Sequence, residues 1–156
     1  MLIDLNKEFD AKVVLKEIIN EKMPFNKLLG FKIDKIEPDK LSVKFEMKEE
    51  LVGNYYFGIL HGGVISSALD LVGGFTAFWC LLNKYDDLKT VEKMERLAKL
   101  GTIDLRVDYL IPGKGEYFIA TGRILRLGNK VAVSRMELFN NNNDLIALGT
   151  GTYNVG

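Results

Sequence analysis

The longest feature in the hydrophobic pattern runs from Gly63 to Leu82, an almost wholly apolar stretch broken by a single charged side chain, Asp70. A helix apolar on every side is one that is buried on every side. Upstream, Phe9, Val13, Val14, Ile18 and Ile19 recur near helical spacing between lysines and glutamates over residues 7 to 22, and Pro24 follows. That pattern predicts an amphipathic N-terminal helix. Leu29 to Ile36 and Leu41 to Met47 alternate apolar with charged residues around Glu37-Pro38-Asp39-Lys40, which predicts two strands joined by a turn. Residues 48 to 57 read as a loop rich in aromatics.

After the apolar run, residues 83 to 100 place Leu88, Val91, Met94, Leu97 and Leu100 near one face, with Gly101 as a stop. They predict a second, surface helix. From Thr102 the alternation is regular: Ile103, Leu105, Val107, Tyr109 and Ile111 form one face of a long half-buried strand. Turns at Pro112-Gly113, Gly128-Asn129 and Asn140 to Asp144 then separate three more strands. One long buried helix followed by an antiparallel meander has a simple solution, a sheet curled around the helix. No linker or internal repeat interrupts the order, so residues 1–156 are expected to be a single domain, with residues 1–27 as a helical extension.

Lys plus Arg and Asp plus Glu number 21 each, so bulk charge gives no reason to expect nucleic acid or an anionic membrane as a partner. The lone Cys80 has no cysteine to pair with and fits a reducing cytoplasm. The first residues carry no basic leader or apolar signal region, and a cytoplasmic protein is expected. Residues 63 to 82 are long enough for a bilayer, but Asp70 at mid-depth would be costly there, so no membrane span is expected. One histidine and one cysteine leave only carboxylates as ligands; no metal and no cofactor are expected.

The chemistry concentrates at the start of the apolar helix. His61 is the only histidine, and Gly62 and Gly63 follow it. A helix N-terminus presents unpaired N–H groups and positive potential, so these glycines are a candidate oxyanion site. Asp70 lies eight residues beyond Gly62, about 12 Å along a helix, too far for both to touch one carbonyl. Two copies packed antiparallel would bring Asp70 of one to Gly62 of the other, which points to a homodimer with two composite sites. The other reading of Asp70 is an internal carboxylate satisfied by Ser66 or Ser67 one turn back. His61 has an alternative too, as a helix-start residue satisfied by its own loop.

These residues carry a resemblance. Gly58-x-x-His61-Gly62-Gly63 with Asp70 nine residues past the histidine, Gly101-Thr102 opening a strand that ends in Pro112-Gly113, Arg126-Leu-Gly128-Asn-Lys130, and Gly149-Thr-Gly151 in the last strand resemble the hot-dog-fold acyl-CoA thioesterases. More narrowly the chain is similar to the PaaI group and its YigI-like branch, over roughly residues 28 to 156. The resemblance implies an α+β fold of about six antiparallel strands around one long helix, dimerised into a continuous sheet and often paired again into a tetramer. It implies an acyl-CoA substrate, with Asp70 as general base or nucleophile, the Gly62 N–H, with Gly63 nearby, on the carbonyl oxygen, and His61 orienting the site. The family's asparagine six residues before the histidine falls at Tyr55, leaving Asn54, one position further back, as the candidate. Thr102 matches a position that helps place the attacking water. Lys114, Arg126 and Lys130 would meet the phosphates of coenzyme A, and the segment 84 to 99 could cover the acyl end.

Thioester hydrolysis needs an activated water and a home for charge developing on the carbonyl oxygen, and a carboxylate with fixed backbone donors supplies both. Phe75, Phe78 and Trp79 are candidate walls of an acyl channel, with plain core packing as the other reading of each. Lys114, Arg126 and Lys130 read equally as solvated turn charges. Ser66 and Ser67 lie outside any nucleophile elbow, which disfavours a serine hydrolase. The competing function is a non-catalytic acyl-CoA sensor on the same fold, which would not require a carboxylate at the thioester. A hydratase ranks last, because the histidine sits beside the oxyanion glycines. Medium, long or aromatic acyl groups fit the apolar surroundings better than acetyl does.

Overall fold

The computed structural model describes residues 10–85 and 87–156. The expected helix over residues 7 to 22 is found in part, with residues 7 to 9 outside the described ones. Helix α1 (Ala11–Glu17) is capped by Asp10, whose carboxylate accepts from the Lys12 and Val13 amides, and it continues into a wider π-turn at Ile18–Lys22. Pro24 does not end the helical arm. It occupies the first turn of a further helix, α2 (Pro24–Leu29), where a missing N–H costs nothing. Gly30, at φ 78°, terminates α2 in the left-handed region. The helical arm therefore runs on to Leu29, which faces the core from a helix instead of opening a strand.

Strands β1 (Lys32–Ile36) and β2 (Lys40–Glu46) form a hairpin across the expected turn, closed by the Glu37 amide on the Lys40 carbonyl at 2.8 Å. The presumed loop that follows is more ordered than its composition suggests. A 3₁₀ turn at Glu49–Leu51 leads into β3 (Val52–Asn54), which pairs with β4 (Ile59–Leu60) in a small separate ribbon. Helix α3 (Gly62–Lys84) comes next, then α4 (Thr90–Lys99), β5 (Gly101–Tyr109), β6 (Tyr117–Leu127), β7 (Val131–Asn140) and β8 (Leu145–Asn154).

Six strands make one antiparallel sheet in the order β1-β2-β6-β7-β8-β5. The sheet wraps α3, which packs against β2, β5, β6, β7 and β8. This is the hot-dog arrangement. The most apolar window of α3 is 78% buried, so its composition is that of a core helix. Close approach of helix and sheet depends on missing side chains. A Cβ on Gly122 of β6 would fall 2.5 Å from Thr76 Oγ1 and 2.9 Å from the Val72 carbonyl oxygen, both on α3. Larger residues there would push the sheet off the helix.

Strand β5 departs from its expected burial. Leu105 and Val107 are half-buried, but Ile103, Tyr109 and, just beyond the strand, Ile111 are exposed. The alternation is as regular as in a core strand; its position decides the outcome, because β5 is an outer strand with β8 on one side only. A bulge between Thr102 and Asp104 further shifts its register.

Candidate active site

Helix α3 begins at His61, whose Nδ1 accepts the Gly63 amide at 2.8 Å. That bond fixes the imidazole at the N-cap and requires any ring proton of a neutral His61 to sit on Nε2. The His61 carbonyl accepts the Val64 and Ile65 amides at 3.0 and 3.2 Å. Of the first-turn donors, only the Gly62 N–H is left without an acceptor among the described residues. The oxyanion candidate thus narrows from two glycine amides to one, since Gly63 is spent on His61. Gly53 of β3 makes the cap possible: a Cβ there would come within 2.6 Å of the His61 Cα.

Tyr109, which the sequence did not single out, packs over Gly62 and donates its hydroxyl to the Gly62 carbonyl at 3.0 Å. It thereby orients the peptide that joins the two glycines. Its strand position looked like ordinary alternation, and only the fold brings it to the helix start.

Asp70 is half-buried, and Oδ1 accepts from the Thr102 hydroxyl at 2.8 Å. Ser66 and Ser67 do not reach it. Both donate instead to the Gly63 carbonyl, at 3.0 and 2.7 Å, so the reading of Asp70 as a locally satisfied helix carboxylate fails. The Tyr153 hydroxyl approaches the Asp70 carbonyl at 3.3 Å. Burial, and then the negative charge of Asp70, push the Tyr153 phenol well above its ordinary value, so it is a neutral donor.

Asp70, Thr102 and Tyr153 share a cleft of about 350 Å³ whose remaining wall is largely apolar, with Ile18, Met23, Phe75, Leu97 and Leu100. Of the three aromatic candidates, Phe75 is the one that lines the cleft with Asp70. Phe78 is fully buried in the core, and Trp79 donates Nε1 to the Glu37 carbonyl at 2.7 Å, holding α3 to the β1–β2 turn. Neither of these two lines that cleft. His61 and Gly63 line a second cleft with Phe25 and Ser67, and Gly62 lines a third with Tyr109. Within one copy, carboxylate and free amide open onto different clefts of the same helix.

Asn54 is exposed, and its Oδ1 accepts the Tyr56 amide at 3.1 Å, shaping the β3–β4 turn. The basic candidates are dispersed. Lys114, lying 5.9 Å from the Phe57 ring, precedes β6, while Arg126 and Lys130 lie near its far end, roughly 33 Å away at the rise of an eleven-residue strand. One copy does not gather all three at a single anion.

An antiparallel sheet wrapped around one long helix defines a hot-dog protein, here with a lone free amide at the helix start and a carboxylate two turns along. Residues 57–147 match the Thioesterase superfamily family, and the chain belongs to it. It is 47% identical over 134 residues to the medium/long-chain acyl-CoA thioesterase YigI of Escherichia coli (strain K12), covering 86% of each chain. The Salmonella typhimurium protein of the same name is 46% identical over the same share. The crystal structure of a Shewanella oneidensis protein related to the thioesterase superfamily superposes with a TM-score of 0.89 at 49% identity, covering 94% of this chain and 97% of that one.

Proposed function

We propose that the protein hydrolyses medium- or long-chain acyl-CoA to the free acid and coenzyme A. The observation that carries this reading is Asp70 held by Thr102 at the wall of an apolar cleft, where a binding module would have no use for a carboxylate. The 47% identity to an enzyme named for that substrate supports it.

In the proposed mechanism, Asp70 either takes a proton from the attacking water or attacks the carbonyl itself. Charge developing on the carbonyl oxygen is received by the Gly62 N–H of a second copy, with the positive end of its α3 dipole behind it. The second copy follows from distance, since Gly62 and Asp70 of one helix are about 12 Å apart. The outer strand β5, paired on one side only and with Ile103 and Tyr109 exposed, offers a surface for such pairing. Lys114 at one end of the sheet and Arg126 with Lys130 at the other would then contact phosphate from different copies.

The test is a series of acyl-CoAs assayed for thiol release, with Asp70→Asn alongside. The wild type should release coenzyme A, and Asp70→Asn should lose at least about a hundredfold in kcat while keeping its oligomeric state. Binding without turnover in the wild type would replace this reading with the acyl-CoA sensor.

A further inference from the structure

The helical arm ahead of β1 contains a turn wider than an α-helix. At Ile18–Lys22 the Met23 amide donates to the Ile18 carbonyl, five residues back, at 3.1 Å. Such π-turns are rare and are found disproportionately at functional sites. This one is held from several directions. Asn26, only 1% exposed, donates Nδ2 to the Ile19 carbonyl at 3.2 Å and contacts Met23 Sδ at 3.2 Å. Lys32 Nζ reaches the Asn20 carbonyl at 3.1 Å, and the Ile33 amide donates to Asn20 Oδ1 at 2.8 Å. The turn is thus fastened to β1 and supplied with side-chain donors for its carbonyls.

Its geometric effect falls on Ile18 and Met23. In an α-helix, residues five apart point about 140° away from each other. The wider turn brings them back towards a common face. Both line the cleft that holds Asp70, and Leu97 of α4 and Leu100 just past its end line it from a separate element. Two segments outside the sheet therefore bound the space beyond the carboxylate.

We propose that this π-turn is a chain-length gauge: it aims Ile18 and Met23 into the Asp70 cleft, where with Leu97 and Leu100 they set how many acyl carbons fit. The gauge rests on the thioesterase reading above and adds to it the part of the chain that selects the substrate.

The experiment measures kcat/KM for straight-chain acyl-CoAs from butanoyl to hexadecanoyl. Met23→Trp fills the cleft and should lower the dodecanoyl-to-hexanoyl ratio by at least about tenfold, the lower end of what one misfitting methylene costs. Inserting an alanine after the exposed Glu21 sets Ile18 and Met23 six apart, about 120° from each other at helical spacing, swings Met23 away, and should move the optimum to longer chains. Glu21→Ala keeps the spacing and should leave the profile unchanged. Melting curves show whether the insertion variant folds; if it does not, Met23→Trp decides. Identical profiles for Met23→Trp and wild type overturn the gauge while leaving the thioesterase reading intact. If the wild type hydrolyses nothing in the series, that reading falls, and equilibrium binding of the same acyl-CoAs decides the gauge. A length preference that Met23→Trp leaves unaltered then refutes it, and one that the substitution shortens supports it.

Discussion

Gly73→Ala tests the contact between α3 and the sheet directly behind the carboxylate. Placing a methyl in a helix interior normally stabilises by about 1 kcal/mol. Here the new Cβ would land on the Tyr153 hydroxyl and 2.8 Å from Met136 Sδ. Neither side chain has room to withdraw, with Tyr153 at 1% exposure and Met136 at 0%. Overpacking of this kind costs about 1–3 kcal/mol, and the absence of slack puts this site in the upper part of that range. Net destabilisation of about 1–2 kcal/mol follows once the propensity gain is subtracted. For a chain of this size that lowers Tm by roughly 3–6 °C. Because Gly73 is one turn beyond Asp70, kcat should fall as well. The assay is urea unfolding at one fixed protein concentration, on Gly73→Ala, Tyr153→Phe and the double variant. Removing the hydroxyl removes the nearest clash, so Gly73→Ala should cost at least about 0.5 kcal/mol less in the Tyr153→Phe background. A neutral or stabilising Gly73→Ala, or an equal cost in both backgrounds, would refute the packing argument.

Two further predictions concern the site and its neighbourhood. Thr102→Val removes the donor to Asp70 Oδ1. Hydrogen bonds to charged groups contribute about 1.5–3 kcal/mol, but Thr102 is exposed and water can substitute, so kcat should fall about five- to tenfold, equivalent to about 1 kcal/mol, while Thr102→Ser stays near wild type. An equal loss in the serine variant would show that shape, and not the hydroxyl, matters. Burial, with the charge of Asp39 adding to it, pushes the Cys80 thiol up to about 11. Its folded value lies above the unfolded one, so its contribution to stability is complete below about pH 9 and is lost as pH rises towards about 11. Unfolding free energies measured from neutral to alkaline pH should fall less steeply above that point in Cys80→Ala; identical slopes would sink the assignment.

The sequence made the central helix legible because burial on every side leaves no polar face to confuse the period, and the four final strands were marked by their turns. What it concealed has specific physical causes. Pro24 ends a helix in most contexts, yet it equally starts one, and the difference lies in whether its N–H position needs a partner. The regular alternation of β5 promised burial, but alternation records only that two faces differ, not whether another strand lies alongside. The π-turn left no trace in composition, since its supports, Asn20, Asn26 and Lys32, are brought together by the fold. Tyr109 and Gly62 are far apart in the chain, so their contact could not be read from spacing.

The partner of Asp70 shows how the two halves of the site are kept separate. Serines one turn before a helical carboxylate would ordinarily compete for it. Here Gly63 presents its carbonyl to both, and the carboxylate is left to a threonine from the outer strand. The same glycine gives its N–H to His61, so that Gly62 retains the only first-turn amide without an acceptor among the described residues. One residue therefore occupies the local hydrogen-bonding groups that would have quenched either end. The helical rise then prevents the two unquenched groups from meeting within a copy, and the proposed hydrolysis, which calls on both, requires two such helices to run past each other in opposite directions.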